Sequence, residues 1–342
     1  MAYTTINKHT EHFNTKTWTG NASARSFTGI GFAPDLVNTR ARVATAQNWW
    51  FDKVRGVTKY VAGTSNAAEA TNAQSLTSFD SDGFSIGTEN SVNYNGDTWV
   101  SYNFKANGAG SVDSSTGSIS ATVSANATAG FSIIKFTNPS SGNFTIPHGL
   151  GVAPDMLFFK CTGGVQSWFV LHKDLTDYNN RYLRLHTNAA EITYTMQTQA
   201  PTSTLLYLNS GGVSNGNTET ICYAFASKTG YSKAGKYIGN GNANGTFVYT
   251  GFKPSYVIIK QINADDDWLY YDSGVSPTNV ITRAMNHTTS SEATANRDTD
   301  FLSNGFKFRS SNGTMNESGA TFVYMAFGQS LVGSNNVPCT AR

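Results

Sequence analysis

Gly151-Val152-Ala153-Pro154-Asp155-Met156-Leu157 has two counterparts in the same chain, Gly31-Phe32-Ala33-Pro34-Asp35-Leu36-Val37 and Gly251-Phe252-Lys253-Pro254-Ser255-Tyr256-Val257. Counted from each proline, position +6 is basic (Arg40, Lys160, Lys260) and position +18 is Asp52, His172 or Asp272. Three occurrences in register mark three copies of one folding unit. The prolines lie 120 and then 100 residues apart, which is the length of a small domain and too long for a solenoid repeat.

Around this element the chain reads as short β-rich runs separated by Gly/Asn/Ser clusters, with no sustained 3.6-residue apolar period. Proline donates nothing to a β-ladder, so each Gly-x-x-Pro marks the entry to a strand. The strand it opens and the next apolar run (Trp49-Trp50-Phe51-Asp52, Trp168-Phe169-Val170-Leu171-His172, Trp268-Leu269-Tyr270-Tyr271-Asp272) form a predicted antiparallel hairpin. Symmetry about position +12 would set Arg40 opposite Asp52 and Lys260 opposite Asp272 as cross-strand charge pairs. Ser65-Asn66-Ala67-Ala68-Glu69 recurs as Thr187-Asn188-Ala189-Ala190-Glu191 and loosely as Ser290-Ser291-Glu292, so Glu69, Glu191 and Glu292 read as structural. Asp80-Ser81-Asp82-Gly83 and Leu302-Ser303-Asn304-Gly305 read as matching turns, not as a calcium loop.

The expected fold class is all-β: three tandem β-sandwich or jelly-roll-like domains related by the repeat. The expected boundaries are an N-terminal arm (1–12), repeats at 13–105, 128–227 and 229–330, and a tail at 331–342. A Gly/Ser-rich linker at 106–127 holds an alternating segment able to add a strand to a neighbour. The near absence of a join between the second and third copies predicts rigid coupling there.

Charged residues make up only 13 % of the 342 while aromatics also reach 13 %, so the chain has the rings for cores and a neutral, hydroxyl-rich surface. A net charge of +2 without a basic cluster argues against nucleic acid. No apolar run is long enough to insert in a membrane, and the first eight residues lack the apolar stretch of a secretion signal. Cys161, Cys222 and Cys339 are too scattered for a zinc site or a disulfide framework, and Cys222 reads as a core residue.

No catalytic set emerges, so the chain is not expected to be an enzyme, and neither a cofactor nor a metal is called for. His9-x-x-His12 has no third ligand in reach, and His172 is aspartate in the other copies. Surface binding is the better-supported role. Its candidates lie where the copies disagree: Trp49 and Trp50, which must point to opposite faces of one strand; Tyr178, Asn179 and Asn180; and Asp265, Asp266 and Asp267 at a hairpin tip. Trp168 and Trp268 share one register position and read as core.

His148-Gly149-Leu150-Gly151-Val152-Ala153-Pro154-Asp155, Phe51-Asp52-Lys53-Val54-Arg55-Gly56, Ala127-Thr128-Ala129-Gly130-Phe131-Ser132-Ile133-Ile134 and Leu331-Val332-Gly333-Ser334 carry a wider likeness. Through them nearly the whole chain resembles a family of uncharacterised virion structural proteins from tailed bacteriophages of aquatic bacteria, cyanophage-like viruses among them. The resemblance implies a virion protein, assembled in the host cytoplasm, with other virion proteins as partners and no catalytic residues to carry over. A tail-fibre or receptor-binding component attaching to a host-surface glycan is the first expectation. A capsid decoration or head-fibre protein is the alternative. Exposed sheet edges and fibre geometry suggest a homo-oligomer, a trimer. The weak apolar character of Leu36-Val37-Asn38-Thr39 predicts a first copy that is looser or held by an interface.

Overall fold

The computed structural model describes residues 3–43, 48–213, 216–288, 292–293 and 296–333. The repeated element does open a strand in each copy, and a hairpin follows. Leu36–Ala41 pairs with Asn48–Asp52, and Met156–Cys161 with Trp168–His172, both antiparallel. Leu36 faces Asp52, Met156 faces His172 and Tyr256 faces Asp272. The hairpins are therefore symmetric about +10, and Arg40 lies opposite Asn48. The expected Arg40–Asp52 and Lys260–Asp272 cross-strand pairs do not form. Asp52 instead takes Arg55, three residues on, at 2.5 Å, with both side chains almost wholly buried.

Each copy builds a large antiparallel sheet and a small three-stranded one. The first and third large sheets have six strands and the second has eight. In the first copy, Trp18, Val37, Phe51 and Trp99 from the large sheet meet Phe27, Leu76 and Phe84 from the small one. Equivalent cores fill the second and third copies. The fold is all-β. The segment expected as a linker belongs to the second copy: Ser111–Asp113 and Ala121–Asn126 are the two strands that widen its large sheet. The two expected turns are present, with Asp80 facing Gly83 and Leu302 facing Gly305.

The hairpin strands are buried on both faces. One face serves the copy's own core. The other enters a fourth cluster drawn from all three copies. At its centre stand Phe104, Phe225 and Phe327, one from the last strand of each copy. Their ring centroids are 5.5, 5.3 and 5.8 Å apart and all three pairs are T-shaped, the favoured edge-to-face geometry. The three copies are thus lobes around a pseudo-threefold axis. Along that axis Val100, Ile221 and Val323 form a second apolar layer in equivalent register.

Backbone bonds close the ring. The N–H of Glu69 donates to Thr162 O at 3.0 Å, that of Glu191 to Ile262 O at 2.8 Å, and that of Glu292 to Arg42 O at 3.0 Å. All three acceptors occupy position +8, so one contact is repeated at each junction. This is what the recurring glutamate segment does, in line with its structural reading. The N-terminal arm is a strap across the chain's two ends. Ile6 enters the shared core, His9 N donates to Gln329 Oε1 at 2.8 Å, and Gln329 Nε2 donates to Asn7 O at 3.2 Å.

Candidate functional site

Polar side chains buried between lobes come first, because a polar group enters a core only with partners. Position +18 reaches from each lobe into the next. Asp52 Oδ2 accepts from Tyr223 Oη at 2.8 Å, and His172 Nε2 meets Tyr324 O at 3.1 Å. Asp272 lies beside Thr15 of the first lobe and accepts from Gly274 N at 2.7 Å. Position +14 reaches the other way: the indole N–H of Trp168 donates to Ala62 O at 2.8 Å and that of Trp268 to Arg184 O at 2.9 Å. Both tryptophans are core, as their shared register implied. In the first lobe Asn48 replaces the tryptophan. There the longer Arg40 replaces lysine and its Nη2 points at His287 O, 3.4 Å away. A smaller +14 residue is matched by a larger +6 one.

The histidines are structural. Burial holds His172 down at about 4 and His287 at about 3. His287 sits between Tyr270 Oη at 2.6 Å and Gly63 O at 2.9 Å. His9 and His12 turn to different partners, Gln329 and Asn126. Among the described residues no group of three His, Cys, Asp or Glu could hold a metal ion. Cys161 and Cys222 are buried and free; Cys339 lies outside the described residues.

Burial, the dominant influence, raises the Asp272 carboxyl to about 7. Its Oδ2 has no hydrogen-bond partner. Tyr102 and Tyr256 share its surroundings, and Arg42 is the cation that acts against the rise. An acid raised in the folded state loses stability as pH climbs from its unfolded value, near 4, to its folded value, near 7. For Asp272 that loss is at most on the order of 4 kcal/mol. Asp272→Asn is expected to raise the melting temperature at pH 8 and to flatten its dependence between pH 4 and 7. Thermal unfolding across pH 4–9 checks this; parallel profiles for the two proteins would contradict it.

The candidate binding residues fare differently from one another. Trp49 and Trp50 do point to opposite faces, but both are buried. Trp49 stacks on Tyr60 at 3.6 Å inside the first lobe, while Trp50 packs on Trp168 and Tyr223, each at 5.2 Å, in the shared core. Neither is presented to a ligand. Tyr178 is half-buried, its hydroxyl donating to Pro154 O at 3.1 Å. The N–H groups of Asn179 and Asn180 are held by Asp177 Oδ1 at 3.0 and 3.1 Å, which makes that stretch a self-bonded turn.

Two of the three aspartates bond across a lobe junction, although Asp265 is exposed. Asp265 Oδ1 accepts from Ala190 N at 2.9 Å and Asp266 N donates to Asn188 O at 2.8 Å, both across the junction of lobes two and three. Asp267 takes Thr288 Oγ1 at 2.9 Å, and burial raises its pKa. Sequence reasoning saw correctly that the copies differ here. The difference serves assembly.

An open groove lies where the second lobe, the third lobe and the arm meet. Its volume is about 290 Å³, and Tyr3, Lys173, Lys233 and Tyr249 are among the residues that line it. Tyr3 and Tyr249 are 42 % and 55 % exposed. Tyr3 Oη donates to Gly251 O at 2.8 Å. Gly251 has φ +88, and a Cβ there would come within 2.7 Å of that hydroxyl, so glycine is what lets the arm seat. Lys233 Nζ donates to Tyr249 O at 2.8 Å and lies 5.2 Å from its ring centroid. A second opening of about 310 Å³, beside His9 and Pro254, has only the buried Phe301 as an aromatic wall. The groove was missed because its parts stand at positions 3, 173, 233 and 249, in no shared motif.

No curated protein sequence and no solved structure matches the chain. A family profile described as a domain of unknown function (DUF7483) does match, over residues 8–330. That span takes in the closing contact at His9 and all three lobes through the final strand, Thr321–Gln329, so the ring as a whole is what the profile describes, and the chain belongs to the DUF7483 family.

Proposed function

We propose that the chain is a bacteriophage virion structural protein, a tail-fibre or receptor-binding component that displays its lobes for attachment to host-surface glycans. The observation that carries this reading is the closed pseudo-threefold ring. A body with three near-equivalent faces about one axis can seat on a threefold partner without a mismatch of symmetry. Its junctions are rigid and buried, which suits a part that transmits binding at its surface to a particle. The sequence resemblance to virion proteins points the same way.

The same symmetry favours a second reading, a decoration or head-fibre protein seated on a local threefold of a shell. The homotrimer expected from exposed sheet edges has to be built through other surfaces, because Glu69, Glu191 and Glu292 turn one edge of each large sheet onto a sister lobe. Immunogold labelling of intact particles with antibody against the chain decides between the two. Gold over the tail is the expected result, and gold over the head would select the decoration reading. Unlabelled particles from a phage that encodes the chain would overturn both.

A further inference from the structure

We infer that the groove between the second and third lobes binds an acidic saccharide, with the sugar face on Tyr249 and its carboxylate or sulfate at Lys233. The inference rests on the attachment role proposed above and names the ligand class of its site.

Three observations carry it. Lys173 is matched by Asp155, 2.9 Å away, and the second oxygen of Asp155 takes Ser227 N at 2.7 Å. Lys233 forms no ion pair among the described residues, so the groove retains a positive charge for an incoming anion. Burial and then Lys173 both lower the pKa of Lys233, the direction a nearby anion would reverse.

The second observation is the aromatic wall. Tyr249, 55 % exposed, lines the groove; Phe247, 43 % exposed, shares its face of the short strand Phe247–Tyr249 about 7 Å away but stands outside the groove lining. Phe27 and Val248 pair with the equivalent Phe84 and Phe306, which puts Ser26 and Thr28 of the first lobe where the third has Phe247 and Tyr249. The two rings are a departure from the repeat that the fold does not require. The C–H face of a pyranose packs on such a ring.

Third, the arm completes the site. Tyr3 brings a second exposed phenol beside Tyr249, close enough for the two hydroxyls to interact. Stacking rings with a few convergent polar groups are the usual make-up of a small-ligand site.

Calorimetric titration of the whole chain tests the inference with oligogalacturonate, oligomannuronate and a sulfated galactose oligomer, beside the neutral galactose oligomer. At least one acidic oligomer is expected to bind, at least tenfold tighter than the neutral one and more weakly as salt rises. Tyr249→Ala and Lys233→Gln are each expected to weaken it at least tenfold while thermal unfolding stays unchanged. Silence toward all three acidic oligomers, equal binding of the neutral one, or undiminished binding by both variants would overturn the assignment. If gold labels particles but no acidic sugar binds, only the ligand class falls. Sugar binding without particle labelling removes the virion role and leaves the site.

Discussion

Phe225→Ala is expected to lower the stability of the whole chain by about 3–5 kcal/mol, the range for deleting a buried phenylalanine, and to do so in one transition. Phe225 is a lobe-two residue that touches Phe104 of lobe one at 5.5 Å and Phe327 of lobe three at 5.8 Å. It also stacks on Phe131 at 4.8 Å. Truncation leaves a void at the axis that no single lobe can collapse to fill. Because each lobe lends a ring, all three lose partners together. Denaturant unfolding followed by fluorescence and by far-ultraviolet dichroism should give coincident curves with a lowered midpoint. Two separated transitions, with only one of them shifted, would show lobes that unfold independently.

Arg55→Met is expected to cost a similar amount, about 3–5 kcal/mol, because it strands a buried carboxylate. Arg55 Nη2 donates to Trp50 O at 2.7 Å and reaches Tyr223 Oη at 3.3 Å, while Nη1 meets Glu69 at 3.2 Å. Burial is the largest single influence and opposes the guanidinium charge, but Asp52, Tyr223 and Glu69 together outweigh it and raise its pKa. Removing the cation leaves Asp52 with Tyr223 Oη and one backbone N–H in a dry interface. Adding Asp52→Asn to the variant should restore more than half of the loss, since the cost lies mainly in the unpaired charge. Chemical denaturation of the two single variants and the double variant measures this coupling. Additive losses would mean that the pair contributes nothing as a pair.

The repeat, the all-β class and the hairpins were legible because they rest on local patterns: a proline at each strand entry, alternating runs and turn residues. What failed depended on the sister copies. Arg40, Lys160 and Lys260 look exposed in a sequence, yet all three are buried, and Arg40 and Lys160 reach carbonyls of another lobe. A strand covered on both sides has no alternation to show which face is solvent, and Trp49 and Trp50 were both misread on that account. The two-position slip of the hairpin came from treating opposite charges as facing partners, whereas Asp52 found its cation along the chain. Asp265 and Asp266 stand out in sequence, but nothing local announces that Ala190 and Asn188 are their partners. Leu36-Val37-Asn38-Thr39, expected to be looser or held by an interface, is wholly buried, with Leu36 in the shared core and Val37 in the core of its own lobe.

The closed ring is the central claim, and small-angle X-ray scattering of the dilute monomer tests it most directly. One compact body of 342 residues should have a radius of gyration of about 20 Å. A value of about 30 Å or more, as for three lobes strung along a flexible chain, would contradict it.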